Sequence, residues 1–120
     1  TLAIEGKKDN ILVNVIAPLA ATRMSEGVIP GIEHFDASKI APLVLHLSHD
    51  SLKESGSLLE TAGGWIGKIR WERTKGAICN SPEEIAQSWD KIVDFGGETS
   101  HPSSAGASIL EIAQKLKSSL

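Results

Sequence analysis

The chain has 120 residues, 41% of them hydrophobic and 22% charged, which is the balance of a globular domain and not of a disordered segment. A net charge of −3, with no long run of one sign, suggests neither a nucleic-acid surface nor an acidic tail. The single cysteine, Cys79, excludes an internal disulfide framework and makes a reducing compartment the simpler expectation. No apolar run approaches the roughly 20 residues needed to span a bilayer.

The first segment, Thr1-Leu2-Ala3-Ile4-Glu5-Gly6, has neither an initiator Met nor a signal-peptide pattern. It reads as the end of a helix begun upstream, with Gly6 as the C′ residue and Lys7 and Lys8 beside the carbonyl end. The chain is therefore expected to be a cut piece of something larger. Ile11-Leu12-Val13-Asn14-Val15-Ile16-Ala17 is a nearly continuous β-branched run, as expected of a parallel strand buried on both faces and ended by Pro18. Asn14 interrupts it, and a buried amide must be paired; tying the strand to a neighbouring loop is preferred to a catalytic role. Residues 18 to 35 read as a long excursion with one or two short helical turns. Loops leaving the C-terminal ends of parallel strands are where ligands bind in open α/β sheets.

Ser38 is expected to cap a helix running to about Ser48, with Pro42 near its first turn. Ile40, Leu43, Val44 and Leu47 fall at helical spacing on one face. Ser57 to Ala62 reads as a short strand opened by Gly56 and ended by Gly63-Gly64. Ser81-Pro82-Glu83-Glu84 is a strong helix start, with Ser at N-cap, Pro at N1 and Glu at N3. That helix should present Ile85, Trp89, Ile92 and Val93 and run to about Phe95. After a polar break at 96–104, a last amphipathic helix over 107–117 carries Ile109, Ile112, Ala113 and Leu116. The fold class is α/β, with two strands and about four helices. Two strands cannot cover the faces or close the edges of a parallel sheet, so the fold is expected to be incomplete on its own.

Few residues suggest chemistry directly. His46 and His49 share a helical spacing used by metal pairs, but His34, His101 and Cys79 are distant in sequence and helix-end histidines are preferred, so no metal is expected. Cys79 has no partner pattern, and Gly63-Gly64 fits neither phosphate-binding glycine spacing. Two segments are more suggestive. In Ala17-Pro18-Leu19-Ala20-Ala21-Thr22-Arg23-Met24, small residues after a buried strand would let the backbone approach a planar ligand, with the Thr22 hydroxyl as donor or acceptor. Between Trp65 and Lys75 four cations (Lys68, Arg70, Arg73, Lys75) alternate with two tryptophans near period two. That pattern fits a solvated face over a Trp-packed ribbon, or contact with a phosphate-bearing ligand or a partner subunit.

Asn14-Val15-Ile16-Ala17-Pro18, the following Thr22-Arg23-Met24, and Gly56-Ser57-Leu58-Leu59-Glu60-Thr61-Ala62-Gly63-Gly64 resemble the C-terminal third of short-chain dehydrogenases/reductases. Gly64-Trp65-Ile66-Gly67-Lys68-Ile69-Arg70-Trp71-Glu72-Arg73-Thr74-Lys75-Gly76-Ala77 narrows the resemblance to one subfamily. It is that of the (3R)-hydroxyacyl-CoA dehydrogenase domains of peroxisomal multifunctional enzymes type 2, also called D-bifunctional proteins or 17β-hydroxysteroid dehydrogenases type 4. The resemblance implies the C-terminal portion of a Rossmann-like doubly wound parallel sheet. Residues 1–77 would be the last part of the dehydrogenase core and 78–120 a helical C-terminal extension.

It also implies NAD as cofactor, an acyl-CoA substrate, fatty-acid β-oxidation, a homodimer, a soluble peroxisomal location and the N-terminal remainder of the domain as partner. Nucleic acid and a membrane span are not implied. The family's catalytic Tyr-x-x-x-Lys pair would precede this segment, and the chain has no Tyr, so no catalytic residue is expected here. The nicotinamide side would be Ile16, Pro18, Leu19, Ala20, Ala21 and Thr22, and the substrate lid would include Met24, Val28 and Ile29. Leu19 stands where the family commonly has Gly, and the turn before Thr22 is one residue shorter. Ser118-Ser119-Leu120 is near the Ser-Lys-Leu peroxisomal signal without matching it. The competing expectation is a non-catalytic truncated module that retains only a dimerisation or packing surface.

Overall fold

The computed structural model describes residues 1–118, so the last two positions of the near-signal at Ser118 lie outside the described residues. It separates into two compact units, Thr1–Ile69 and Arg70–Leu120. The expected 77/78 division concerns the origin of the segments, whereas this boundary follows from packing.

The first unit begins with α1 (Leu2–Gly6), which tightens into a 3₁₀ turn over Lys7–Asp9. Gly6 does not take the left-handed capping conformation expected of it: its φ is −71°, and Asn10, at φ 56°, turns the chain instead. Glycine suits position 6 for a different reason. A Cβ there would stand 3.0 Å from both the Cβ and the carbonyl oxygen of Ile11, where the chain folds back.

Strand β1 is Val15–Leu19, displaced C-terminally from the expected 11–17. Its entry is held largely by side chains. Val13 N–H donates to Ser55 Oγ at 3.1 Å, and Asn14 Nδ2 donates to the Glu54 carbonyl at 2.8 Å. Asn14 Oδ1 accepts from the Ser57 amide at 3.1 Å. The amide therefore ties strand to loop, as its place in an apolar run suggested, although it is only half-buried and Ile11, Leu12 and Val15 are exposed instead of covered on both faces. Pro18 does not end the strand but lies within it, opposite Thr61. Proline can occupy that place because β1 is an edge strand of this sheet, where a missing N–H need not break a ladder.

After β1, a 3₁₀ turn over Ile32–His34 and another over Ala37–Ile40 lead into α2 (Ala41–Leu47). The cap is Asp36 and not Ser38: its Oδ1 accepts from the Ser38 amide at 2.8 Å. That bond, followed by one from the Ser38 hydroxyl, holds the Asp36 carboxyl below the usual carboxylate range. Leu43 on α2 is 5% exposed and Ile32 is 4% exposed; they are the buried apolar residues of the core. Strand β2 (Leu58–Ala62) runs parallel to β1. The chain then turns through Gly63 and Gly64, both at positive φ, into β3 (Trp65–Ile69), antiparallel to β2. Two positive-φ residues suit the tight turn of a twisted hairpin. The sheet thus has three strands in the order β1-β2-β3, one more than expected, because the period-two stretch after Gly64 is itself a strand.

The second unit pairs β4 (Arg73–Thr74) with β5 (Thr99–Ser100) antiparallel and adds α3 (Pro82–Val93) and α4 (Ala105–Ser118). Ser81 caps α3 by accepting from the Glu84 amide at 3.2 Å, while Glu84 Oε2 accepts from the Asn80 amide at 2.7 Å. The expected reciprocal capping is present, shifted by one residue on its return bond. Thr74 Oγ1 donates to the Ile92 carbonyl at 2.6 Å, and Arg73 bonds Ser108 and Glu111 of α4.

The chain exposes 9497 Å². Even two separate compact bodies sharing this mass would expose only about 7,500 Å². Large apolar side chains are among the exposed ones: Val15 on β1, Trp65, Ile66 and Ile69 on β3, and Trp89, Ile109 and Leu116 on α3 and α4.

Candidate functional site: the cleft after the first strand

The parallel pair β1 and β2 ends at Leu19 and Ala62, and the excursion leaves from the first of these ends. Its two ends meet again: the Ala21 amide donates to the Phe35 carbonyl at 2.7 Å. Between them the backbone makes helical turns, with Ser25 and Glu26 N–H both 3.0 Å from the Thr22 carbonyl. The loop encloses a cleft of about 690 Å³ lined by Ala21, Thr22, Arg23, Val28, Ile29 and Ile32 among others. That volume is within the range of small-molecule sites, which are mostly apolar with a few placed polar groups. Glu26 and Glu33 also border it, and Arg23 forms no ion pair among the described residues.

Of the residues expected at a site, Ala21, Thr22, Val28 and Ile29 line this cleft. Ile16 lines a second, shallow hollow of about 300 Å³ with Leu12, Val44 and Leu47. Pro18, Leu19 and Ala20 form the strand end and the turn leading to the cleft, but neither hollow is lined by them. Met24 points outward at 91% exposure, and Val28 is 74% exposed while lining the cleft.

Sequence reasoning missed Ser25. Its Oγ is 2.9 Å from Thr22 N, 3.1 Å from Thr22 Oγ1 and 2.9 Å from the Ala20 carbonyl, which makes it the hub of the turn. A hydroxyl three residues after another at a turn is the signal that could have found it.

The cation-rich segment is largely explained by packing. Lys68 Nζ lies 2.6 Å from Glu54 Oε1, which also accepts from the Ser57 hydroxyl, and Lys75 lies 2.8 Å from Glu98. Arg73 pairs with Glu111. Lys68, followed by Ser57, holds the Glu54 carboxyl below its ordinary range. The Lys75–Glu98 contact lowers Glu98 and raises Lys75. His46 lies in the last turn of α2 and His49 beyond its end, hydrogen-bonded to Ser51 Oγ at 2.8 Å, and among the described residues no three potential metal ligands gather.

No family model matches the chain. Peroxisomal multifunctional enzyme type 2 of Mus musculus is 45% identical over 130 residues, covering 98% of this chain and 17% of that protein. Peroxisomal hydratase-dehydrogenase-epimerase of Saccharomyces cerevisiae is 46% identical over 114 residues, covering 85% of this chain and 13% of its own length. The structure of full-length peroxisomal multifunctional enzyme type 2 from Drosophila melanogaster superposes with a TM-score of 0.75 at 31% identity, covering 96% of this chain. The chain is homologous to a segment of peroxisomal multifunctional enzyme type 2. Its mixed sheet and four helices match a fragment of that family's short-chain dehydrogenase domain, as the Rossmann-like expectation held. It spans 23% of the Drosophila chain, less than a quarter. No described helix is long and apolar enough to cross a membrane.

Proposed function

We propose that this chain is the nicotinamide-side and substrate-lid part of an NAD-dependent (3R)-hydroxyacyl-CoA dehydrogenase of peroxisomal fatty-acid β-oxidation. The observation that carries the reading is the 45% identity to the mouse multifunctional enzyme across 98% of the chain. A cleft lies where the fold class binds its ligands, outside the carboxyl end of a parallel strand.

The residues present fit a nicotinamide. Ala20 and Ala21 give a turn without bulky side chains, and Thr22 is the neutral polar side chain among the residues lining the cleft. In this reading NAD, when bound, supplies the hydride acceptor. The chain would orient it: the strand end from Ile16 through Pro18 and Leu19 to Ala20 leads the backbone to the cleft, where Ala21 and Thr22 line it and Thr22 would hold the carboxamide. Met24, Val28 and Ile29 form the lid over an acyl-CoA and exclude water. Residues 1–77 are the end of the dehydrogenase core and 78–120 its helical extension, whose exposed Trp89, Ile109 and Leu116 pack against the second subunit of a homodimer. The tyrosinate base and its lysine come from the N-terminal remainder of the domain, since this chain has no Tyr. By itself the segment is inactive.

The coding sequence upstream of Thr1 separates this from a non-catalytic packing module. A Tyr-x-x-x-Lys motif shortly before Thr1 is expected, and an initiator Met in its place refutes the enzyme reading. In the full-length protein, Thr22→Ala is expected to raise KM for NAD about tenfold, the size of one hydrogen bond. An unchanged KM removes Thr22 from the site.

A further inference from the structure

The lining of the cleft after β1 is of two chemical kinds. Val28, Ile29 and Ile32 make part of it apolar, and Arg23, Glu26 and Glu33 add three charged groups. The charges are not equally engaged. Glu33 Oε1 lies 3.6 Å from His34 Nε2. Arg23 forms no hydrogen bond or ion pair with any described residue, although two carboxylates line the same cleft. This sets it apart from Lys68, Arg73 and Lys75, each of which is matched to a glutamate. An arginine carries a planar fork of donors suited to carboxylate or phosphate. An unmatched one, in a cleft that also has an apolar lining, suits a ligand anionic at one end and apolar at the other.

We infer that Arg23 is a specificity-determining residue that anchors a phosphate group of the acyl-CoA, with the acyl end against Val28 and Ile29. The inference rests on the reading of this loop as the substrate lid and deepens it, because it names the part of the substrate that the lid recognises. The dinucleotide has phosphates too. In dinucleotide-binding α/β folds, however, the pyrophosphate sits on a glycine-rich turn at a helix N-terminus, and this chain has no such glycine spacing. The phosphate that meets Arg23 is therefore assigned to the thioester.

The test uses the full-length protein and two (3R)-hydroxyacyl thioesters with the same acyl group, one of coenzyme A and one of pantetheine, which has no phosphate. NADH formation reports this site alone. The wild-type KM for the coenzyme A thioester is expected to be about tenfold or more below that for the pantetheine thioester, the size of a charge-assisted hydrogen bond. Arg23→Gln should raise the first KM to the level of the second. Its kcat, its pantetheine KM and its NADH dissociation constant, read by fluorescence, should stay within about twofold of wild type. Arg23→Lys keeps the charge but not the fork and should recover part of the preference. Glu26→Gln removes a negative charge from the same cleft and should lower the coenzyme A KM, a gain that a folding defect does not imitate.

A wild type with no preference between the thioesters overturns the inference, as does an Arg23→Gln protein that keeps the preference. A coenzyme A KM that rises in Glu26→Gln overturns it too. Equal rises of both KM values in Arg23→Gln mark a merely structural role, and lost NADH affinity assigns the arginine to the dinucleotide; either result overturns it. A wild type that oxidises neither thioester refutes the lid reading itself.

Discussion

Replacing Asn14 by alanine removes two hydrogen bonds that join the entry of β1 to the segment before β2: the donation to the Glu54 carbonyl at 2.8 Å and the acceptance from the Ser57 amide at 3.1 Å. Each such bond contributes about 0.5–1.5 kcal/mol net. Ser57 is 3% exposed, so its amide is left without easy access to water and that loss falls in the upper part of the range. Glu54 is exposed, so water can reach its carbonyl and that loss falls in the lower part. Together they give about 2 kcal/mol. Urea unfolding of the full-length protein, followed by tryptophan fluorescence, measures it as a lower midpoint at unchanged slope. A midpoint equal to wild type together with collapsed turnover would refute this reasoning and make Asn14 a participant in the chemistry.

The Glu54–Lys68 pair predicts an acid limb. Because Lys68 and Ser57 lower the folded pKa of Glu54, its contribution is present above the ordinary glutamate value of about 4.3 and is lost as pH falls through the lower folded value. Glu54→Gln should flatten the stability profile below about pH 4.3 while leaving the alkaline side unchanged; an unchanged acid limb excludes the pair as its source. The 120-residue chain expressed by itself should bind a hydrophobic dye and self-associate, because β1, β3, α3 and α4 all present large apolar side chains to water. A monomer with a sharp, cooperative thermal transition would contradict that.

What was legible in the sequence was whatever local chemistry determines. The β-branched run announced β1, the Ser81-Pro82-Glu84 signature fixed the start of α3, and a lone amide in an apolar run implied the clasp at Asn14. The misreadings share a cause: they depended on what lay beside the segment in space. Pro18 reads as a stop until β1 is seen to be an edge strand, and Gly6 reads as a cap until Ile11 folds back on it. Strand β3 showed its alternation but not its partner, and its cations suggested a ligand although Lys68 answers Glu54. At the site, Thr22 stands out first as a hydroxyl after a run of small residues that follows a strand, and then through the resemblance. Ser25 was overlooked because a hydroxyl whose partners are mostly backbone groups leaves little trace in composition.

The bond from the Ala21 amide to the Phe35 carbonyl gives the cleft an evolutionary property. A loop that departs and returns at one point is a cassette: its exposed residues, Met24 and Val28 among them, can be exchanged without shifting the register of Pro18 on Thr61 behind it, whereas Ile32 is held in the core. Doubling such a loop costs only about 0.6 kcal/mol in closure entropy. The same sheet can therefore carry loops of different length and shape beside the cleft, and the length of this interval is where divergence among relatives should be sought.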